Sequence, residues 1–356
     1  MNEPSAIATT ESAAEFAVWR TALRGLAASV QARVRTKLRD ALAADELEGL
    51  ARGVSEGVGD TTFALDVPAE EAVEEWFCAH ACRGPLSLLT EDAGWRHRGP
   101  DPAKPGGWRD LADFAHGGPR IVIDPIDGTR PLMHDLRSAW VVIGFAPPGP
   151  AQPRLSALRG GLLVELPPSS QGVARWLEAE HGGPAEERLL PVGASVKQVA
   201  AASVRTLSVD SDARCDRGYF TFFRYHPAQR RRLATLEESF FARLAEREGA
   251  DLLQVYEDGY CSSGGQLALL ALGRYRFVAD FRARLGGVEG PFCKPYDVAG
   301  AVVVARTAGV EISDAFGAPL DCPLDACTPI GFVGYTNAGT RARLEPHLEA
   351  AWEALS

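Results

Sequence analysis

The run Ile121-Val122-Ile123-Asp124-Pro125-Ile126-Asp127-Gly128-Thr129 most narrows what this chain can fold into. Three β-branched residues in a row read as a buried strand. A strand that ends on two carboxylates three residues apart, with Pro and Gly shaping the turn, delivers both acids to one edge of a sheet, where ligand sites commonly lie. Gly128 and Thr129 could present backbone N–H groups at a helix start, which suits an anion such as phosphate. Asp-Pro and Asp-Gly are also ordinary turn dipeptides, so the run alone admits a purely conformational reading. Two more elements repeat the pattern, however. Leu88-Leu89-Thr90-Glu91-Asp92 is an apolar strand ending in acids, and Pro295-Tyr296-Asp297-Val298-Ala299-Gly300 opens an Ala/Val-rich helix with one. Acids at the ends of three buried elements are hard to explain by packing, because buried charge is costly without a partner.

The remainder reads as mixed α/β. Trp19, Leu23, Leu26, Val30, Val34 and Leu38 recur at helical spacing and predict one or two amphipathic helices over residues 16–50. A Gly-rich stretch, 53–59, breaks the pattern, and Ala69, Val73, Phe77 and Ala81 predict a second helix with acids in its first turn. Residues 86–89, 121–123, 140–145 and 161–166 read as strands, and 96–118, rich in Gly, Pro and charge, as a surface excursion between two of them. Further on come a helix over 228–247, a strand near 252–255, a helix over 264–272, a strand over 276–280 and a helix over 297–308. There is no internal repeat. The softest boundaries, 146–153 and 184–192, suggest an N-terminal α+β half, residues 1–150, and a C-terminal α/β half, residues 151–356.

Composition removes several classes. A chain of 356 residues that is 46% hydrophobic and 24% charged can build a large core. Its net charge of −10 argues against a nucleic-acid polymer as partner. Carboxylates that hold divalent cations reverse the local sign, so a small anionic substrate stays compatible. No segment approaches the ~20 apolar residues of a membrane span, and the first fifteen residues carry no signal-like apolar core, so no membrane partner and a cytoplasmic location are expected. Seven scattered cysteines, an odd number, read as reduced thiols.

Together these residues resemble the inositol monophosphatase superfamily of lithium-sensitive, magnesium-dependent phosphatases. Its Asp-Pro-Ile-Asp-Gly-Thr hallmark is intact at 124–129. Its Gly-Glu-Glu element is similar to Thr90-Glu91-Asp92, and its Trp-Asp-x-Ala-Gly element to Tyr296-Asp297-Val298-Ala299-Gly300. The run from Asp60 to Asp66, followed by Glu70, is similar to the Asp-x-x-Thr-x-x-Asp-x-x-x-Glu segment. The resemblance spans residues 15–335. It implies an α/β (α+β) fold, a layered α-β-α-β-α sandwich, and a homodimer. It implies Mg2+, two or three ions per site: Glu91, Asp124 and the Ile126 carbonyl at the first, Asp124, Asp127 and Asp297 at the second, and Asp66, near Asp60, at a looser third. It implies that Glu91, Thr129 and Asp66 act in catalysis, that Gly128 and Thr129 hold phosphate, and that Asp127, Asp280 and Asp297 contact substrate. Hard oxygen donors with little His or Cys suit magnesium by ligand type as well.

Tyr296 replaces the family's Trp, Asp92 shortens the second acid of Glu-Glu, and Arg130 follows the phosphate turn. Cys261-Ser262-Ser263-Gly264-Gly265-Gln266 is similar to the family's pocket-lining turn, and is equally a helix start with Ser caps. Arg230, Arg231 and Arg232 read as a solvated face, and Phe220, Phe222, Phe223 and Tyr225 as core or subunit-interface packing. Without a Gly-x-Ser-x-Gly elbow or an activated Cys, direct displacement by water is expected. The expected substrate is an inositol or other sugar or polyol monophosphate. Fructose 1,6-bisphosphate and 3′-phosphoadenosine 5′-phosphate are the alternatives within the chemistry, and a non-catalytic metal- or phosphate-binding protein is the alternative outside it.

Overall fold

A computed structural model of the chain describes residues 6–57, 61–287 and 290–355, with side chains from Phe16 onward. Asp60 lies outside the described residues. The first part runs α1 (Ala6–Ala43), β1 (Gly53–Glu56), β2 (Thr61–Phe63), α2 (Val67–Ala81), β3 (Leu86–Thr90), β4 (Gly94–Pro100), β5 (Trp108–Asp110), β6 (Arg120–Asp127), α3 (Thr129–Met133), β7 (Ala139–Ala146), β8 (Gly160–Leu166), β9 (Val173–Glu180), β10 (Ala185–Pro191), α4 (Val196–Ala201) and β11 (Arg205–Leu207). The second runs β12 (Gly218–Phe222), α5 (Arg230–Glu248), β13 (Val255–Tyr256), α6 (Ser263–Ala271), β14 (Tyr275–Asp280), α7 (Arg282–Leu285), α8 (Pro295–Ala308), β15 (Glu311–Asp314), β16 (Phe332–Tyr335) and α9 (Ala338–Leu355).

Among the described residues β3 to β11 form a nine-stranded sheet in the order β11-β10-β9-β8-β7-β6-β3-β4-β5, parallel only between β3 and β6. A five-stranded sheet follows in the order β13-β12-β14-β16-β15. Successive side chains of a strand face opposite ways, and that alternation sorts the core. Leu88, Ile121, Ile123 and Ile143 pack with Leu23, Leu26, Val30 and Val73 of α1 and α2, while Leu89, Val122 and Val142 pack with Leu267, Val298 and Val302 of α6 and α8. The outer face of the small sheet, with Phe277, Val333 and Tyr335, is covered by Leu236, Phe240, Leu344 and Leu348 of α5 and α9. The layers are therefore helix, sheet, helix, sheet, helix, and α6 and α8 are the shared middle. Gly300 lets α8 close on the large sheet: a Cβ there would stand 2.1 Å from the Ile143 carbonyl oxygen.

Three segments differ from the sequence expectation. Residues 96–118 contain β4 and β5, the antiparallel edge of the large sheet, whose polar side chains suit an edge. Residues 184–192 are β10 rather than a boundary. Their charges hide a strand because they pair sideways: Glu187, 3% exposed, accepts from Arg175 at 2.7 Å and Arg205 at 2.6 Å. Residues 252–254 form a 3-10 turn, leaving a two-residue strand. The chain changes sheet between Leu207 and Gly218, so the large sheet continues past residue 150. No helix among the described residues is long and apolar enough to cross a membrane, and all seven cysteines are free thiols.

Candidate active site

In a regular strand residues 124 and 127 would face opposite sides of the sheet. A β-bulge in β6 prevents this. Asp124 pairs with Val142 and Asp127 with Trp140, so three steps on β6 match two on β7, and the extra residue re-aims the strand. Pro125, which has no N–H for the ladder, sits in the bulge. Both acids thus face the α6/α8 layer, 4% and 7% exposed. Gly128 then turns the chain into α3 with φ of +102°, and a Cβ on it would lie 3.1 Å from Ser262 Cβ.

The start of α6 closes around Asp127. Its Oδ2 accepts from Ser262 Oγ at 2.6 Å, Gly264 N at 2.7 Å and Gly265 N at 3.1 Å, and its Oδ1 accepts from Ser263 N at 3.1 Å. Ser262 also caps α6 through Gly265 N. Asp297, in the first turn of α8, accepts the backbone N–H of Lys294 at 2.8 Å through Oδ2. Asp124 Oδ1 accepts Ile126 N at 2.9 Å. Glu91 follows β3 and lies beside the Tyr296 hydroxyl, which donates to it. Glu91, Asp124, Ile126, Asp127, Gly128, Thr129, Tyr296 and Asp297 all line one cavity of about 90 Å3.

Asp66 reaches this group from a second direction. Its Oδ2 accepts Phe63 N at 2.7 Å, and its Oδ1 receives Thr129 Oγ1 at 3.0 Å. Glu70 stands one turn further along α2, and Asp92 is bonded by Thr62 Oγ1 at 2.8 Å.

Burial and mutual repulsion dominate the electrostatics. Burial, then Asp127, Asp297 and Glu91, push Asp124 far above the ordinary carboxylate range. Burial raises Asp127 to about 6 against the opposing Ser262 and α6 hydrogen bonds. Burial and Asp127 raise Asp297 to about 7. Burial raises Asp66 to about 6, and burial with Asp92 and Asp66 raises Glu70 to about 8. Neighbouring acids with so little neutralisation match the chemistry of divalent cations, which replace repulsion by attraction. Asp124 Oδ2, Asp127 Oδ1 and Asp297 Oδ1 each keep capacity for a hard cation beside their protein hydrogen bonds. As the side chains stand, no three His, Cys, Asp or Glu groups among the described residues close on a single point. The donor set fits in kind, with Asp127 and Asp297 turned partly onto backbone donors.

Asp280 is placed elsewhere. It is fully buried, and both its oxygens are taken by Arg282, with Nη2 at 2.6 Å and Nε at 3.0 Å. Arg282 lines the cavity in its stead, its guanidinium 3.8 Å from the Phe223 ring centroid. Phe223 and Tyr225 also line it, whereas Phe220 and Phe222 pack in the core. Arg130 lies over both Phe63 and Tyr225. Arg230, Arg231 and Arg232 are exposed and outside it. Sequence reasoning missed Arg282, Lys294 and the aromatic wall. The available signal was the cation two residues after Asp280.

A family model described as the inositol monophosphatase family matches residues 18–344. No curated protein matches the sequence. Among solved structures, a hypothetical protein of Pyrococcus horikoshii, described as having similarities to inositol-1 monophosphatase, aligns with a TM-score of 0.59 at 15% identity over 93% of this chain and 97% of that one. The extragenic suppressor protein suhB of Bartonella henselae aligns with a TM-score of 0.60 at 16% identity over 94% and 98%. A protein described as an inositol monophosphatase-fructose 1,6-bisphosphatase aligns with a TM-score of 0.54 at 14% identity over 88% and 98%. These likenesses carry the fold. Members of the matched family are generally metal-dependent phosphatases, and from the family match over most of its length, with the acid cluster in place, this chain belongs to the inositol monophosphatase family.

Proposed function

We propose that this protein is a Mg2+-dependent phosphomonoesterase that hydrolyses an inositol or other sugar or polyol monophosphate by direct attack of water. The observation that carries this reading is the convergence of Glu91, Asp124, Asp127 and Asp297 from three buried elements on one cavity that also holds Gly128 and Thr129. Glu91, Asp124, the Ile126 carbonyl, Asp127 and Asp297 would hold two ions, and Asp66 a looser third. When bound, the ions supply Lewis acidity toward the phosphoryl group and lower the pKa of water.

The chain's own residues do the rest. Gly128 and Thr129 direct backbone N–H groups at phosphate oxygens. Thr129 donates its hydroxyl proton within the protein and accepts one from water, and Asp66 is the base behind it. The α6 start fixes Asp127, which orients the substrate from one side. A bisphosphate such as fructose 1,6-bisphosphate is the second reading, favoured by the cations Arg130, Arg282 and Lys294 on the cavity wall.

The test is phosphate release by metal-stripped protein from inositol phosphates, sugar mono- and bisphosphates and 3′-phosphoadenosine 5′-phosphate, with and without Mg2+. Release from one class only with Mg2+ supports the reading and names the substrate. No release from any, while Mg2+ still binds, makes the chain a metal-binding member of the fold.

A further inference from the structure

A second cavity, of about 300 Å3, lies on the opposite face of the small sheet, between that sheet and α9. Ser313 pairs with Val333 and Glu311 with Tyr335, so Ser313, Val333 and Tyr335 share the face turned to α9, and all three line the cavity. Ser313 is completely buried, and its hydroxyl oxygen has no hydrogen-bond partner among the described residues. A buried polar atom left without a partner is costly and rare. Ser313 belongs to the lining of a space large enough for a ligand.

The opposite wall carries carboxylates on successive turns of α9, Glu345, Glu349 and Glu353. Glu345 is committed to Arg341 at 3.0 Å, whereas Glu349 and Glu353 make no ion pair among the described residues. Glu345 and Glu349 both approach Gly317: their nearest oxygens lie 3.6 and 3.9 Å from where a Cβ on that residue would stand. The missing side chain keeps the mouth open between them. Arg284 forms the remaining wall, its guanidinium 3.8 Å from the Trp352 centroid and bonded through Nη1 to the Ala315 carbonyl. With Glu311 and Asp314 nearby, carboxylates outnumber the two guanidinium groups, and the space is net negative.

An apolar floor of Val333 and Leu348, a hydroxyl acceptor at depth and two carboxylates one helical turn apart select a ligand that is cationic at both ends and aliphatic between them. The Cβ atoms of residues at i and i+4 lie about 5–6 Å apart, close to the separation of the nitrogens across a four-carbon chain. A polyol would leave the charges unmatched, and an anion would be repelled. We propose that this cavity binds a short linear alkyl diammonium, with its inner ammonium donating to Ser313 Oγ and Glu349 and its outer one to Glu353. The site is separate from the phosphatase cavity and does not rest on the phosphatase reading.

The experiment is calorimetric titration of the full-length protein with 1,4-diaminobutane at saturating Mg2+, with 1-aminobutane and 1,4-butanediol as comparison ligands. Two variants accompany it: Glu349→Gln and Asp124→Asn. The expected result is saturable one-to-one binding of the diamine by wild type and Asp124→Asn alike. Glu349→Gln should weaken it about tenfold or more, the loss of one charge-assisted hydrogen bond. The monoamine should bind more weakly and the diol not at all. Because Glu349 is exposed, its replacement leaves the fold intact. The proposal is overturned by absence of saturable binding. It is equally overturned by binding that vanishes in Asp124→Asn but persists in Glu349→Gln, which would place the diamine among the active-site acids, or by equal affinity in wild type and Glu349→Gln, which would mean diffuse attraction to an acidic surface.

Discussion

The Thr129 hydroxyl stands between two acceptors from distant parts of the chain, Asp66 Oδ1 at 3.0 Å and the Ile126 carbonyl oxygen at 2.8 Å. It has one proton to give. Whichever acceptor takes that proton, the oxygen keeps two lone pairs, one of which can face the cavity and accept from water. Asp66, raised to about 6, is ionised near neutral pH yet basic enough to receive a proton. This pairing ties the segment after β2 to the turn after β6, 63 residues further on.

Thr129→Ala and Asp66→Asn are each expected to lower kcat by about a hundredfold or more, the range for loss of a general-base contribution. Thr129→Ser, which keeps the hydroxyl, should retain most of it. Steady-state kinetics with thermal unfolding of the same samples checks this. A kcat for Thr129→Ala within about twofold of wild type would remove the hydroxyl from the reaction.

Asp124→Asn is expected to abolish turnover and to raise the thermal midpoint of the metal-free protein. Burial, then Asp127, Asp297 and Glu91, disfavour the ionised form of Asp124, and a neutral amide removes that charge. The same substitution should erase most of the stabilisation that Mg2+ gives wild type, since binding to the native state is what raises its stability. Thermal unfolding with EDTA and with Mg2+ measures both effects. An unchanged Mg2+ response in Asp124→Asn would exclude Asp124 as a ligand.

Much of this arrangement was legible in the chain because it rests on local pattern. The apolar run into Asp124 fixes a buried strand, and the Pro and Gly around Asp127 announce a break in it. What pattern could not supply was pairing between distant segments. The bulge that turns Asp124 and Asp127 to one side depends on the register with β7. β10 looked like a boundary because Glu187 is charged, and only its arginine neighbours on β9 and β11 make it a strand residue. Asp280 looked like a substrate contact by resemblance, and the cation two residues on hinted otherwise, but only the fold turns Arg282 back onto it.

Asp280→Asn separates a structural from a substrate role. Asp280 and Arg282 are a buried pair, 0% and 5% exposed, and removing one partner of such a pair leaves an uncompensated charge at a cost of about 3–5 kcal/mol. The variant should unfold at clearly lower urea concentration. Asp280→Asn with Arg282→Met should recover part of that loss, because the orphaned charge is gone. A variant of wild-type stability with a raised KM would instead make Asp280 a direct substrate contact.

The acid cluster also fixes how stability depends on pH. Asp66 and Asp127 titrate at about 6 in the folded chain, Asp297 at about 7 and Glu70 at about 8, against 3.8 for Asp and 4.5 for Glu in the open. Between those limits the native state binds more protons than the unfolded state, so unfolding free energy falls as pH rises. Full stability from these groups is present below about pH 4 and is lost progressively as pH climbs through the folded values. Asp212 and Glu74, held low by arginine neighbours, act in the opposite sense, but only in more acid solution. Burial also holds His80, His97, His116 and His226 below the usual imidazole value of 6.5, and they oppose the carboxylates below that pH, so the metal-free protein should gain thermal stability as pH falls from 8 to about 6.5. Saturating Mg2+ should flatten or reverse that slope by stabilising the ionised carboxylates. Asp124→Asn should flatten it without metal, because removing one charge lets its neighbours ionise more easily. Thermal midpoints across this range, with EDTA and with Mg2+, decide the matter, and a metal-free protein that loses stability as pH falls from 8 to about 6.5 would contradict the repulsion on which the cation fit depends.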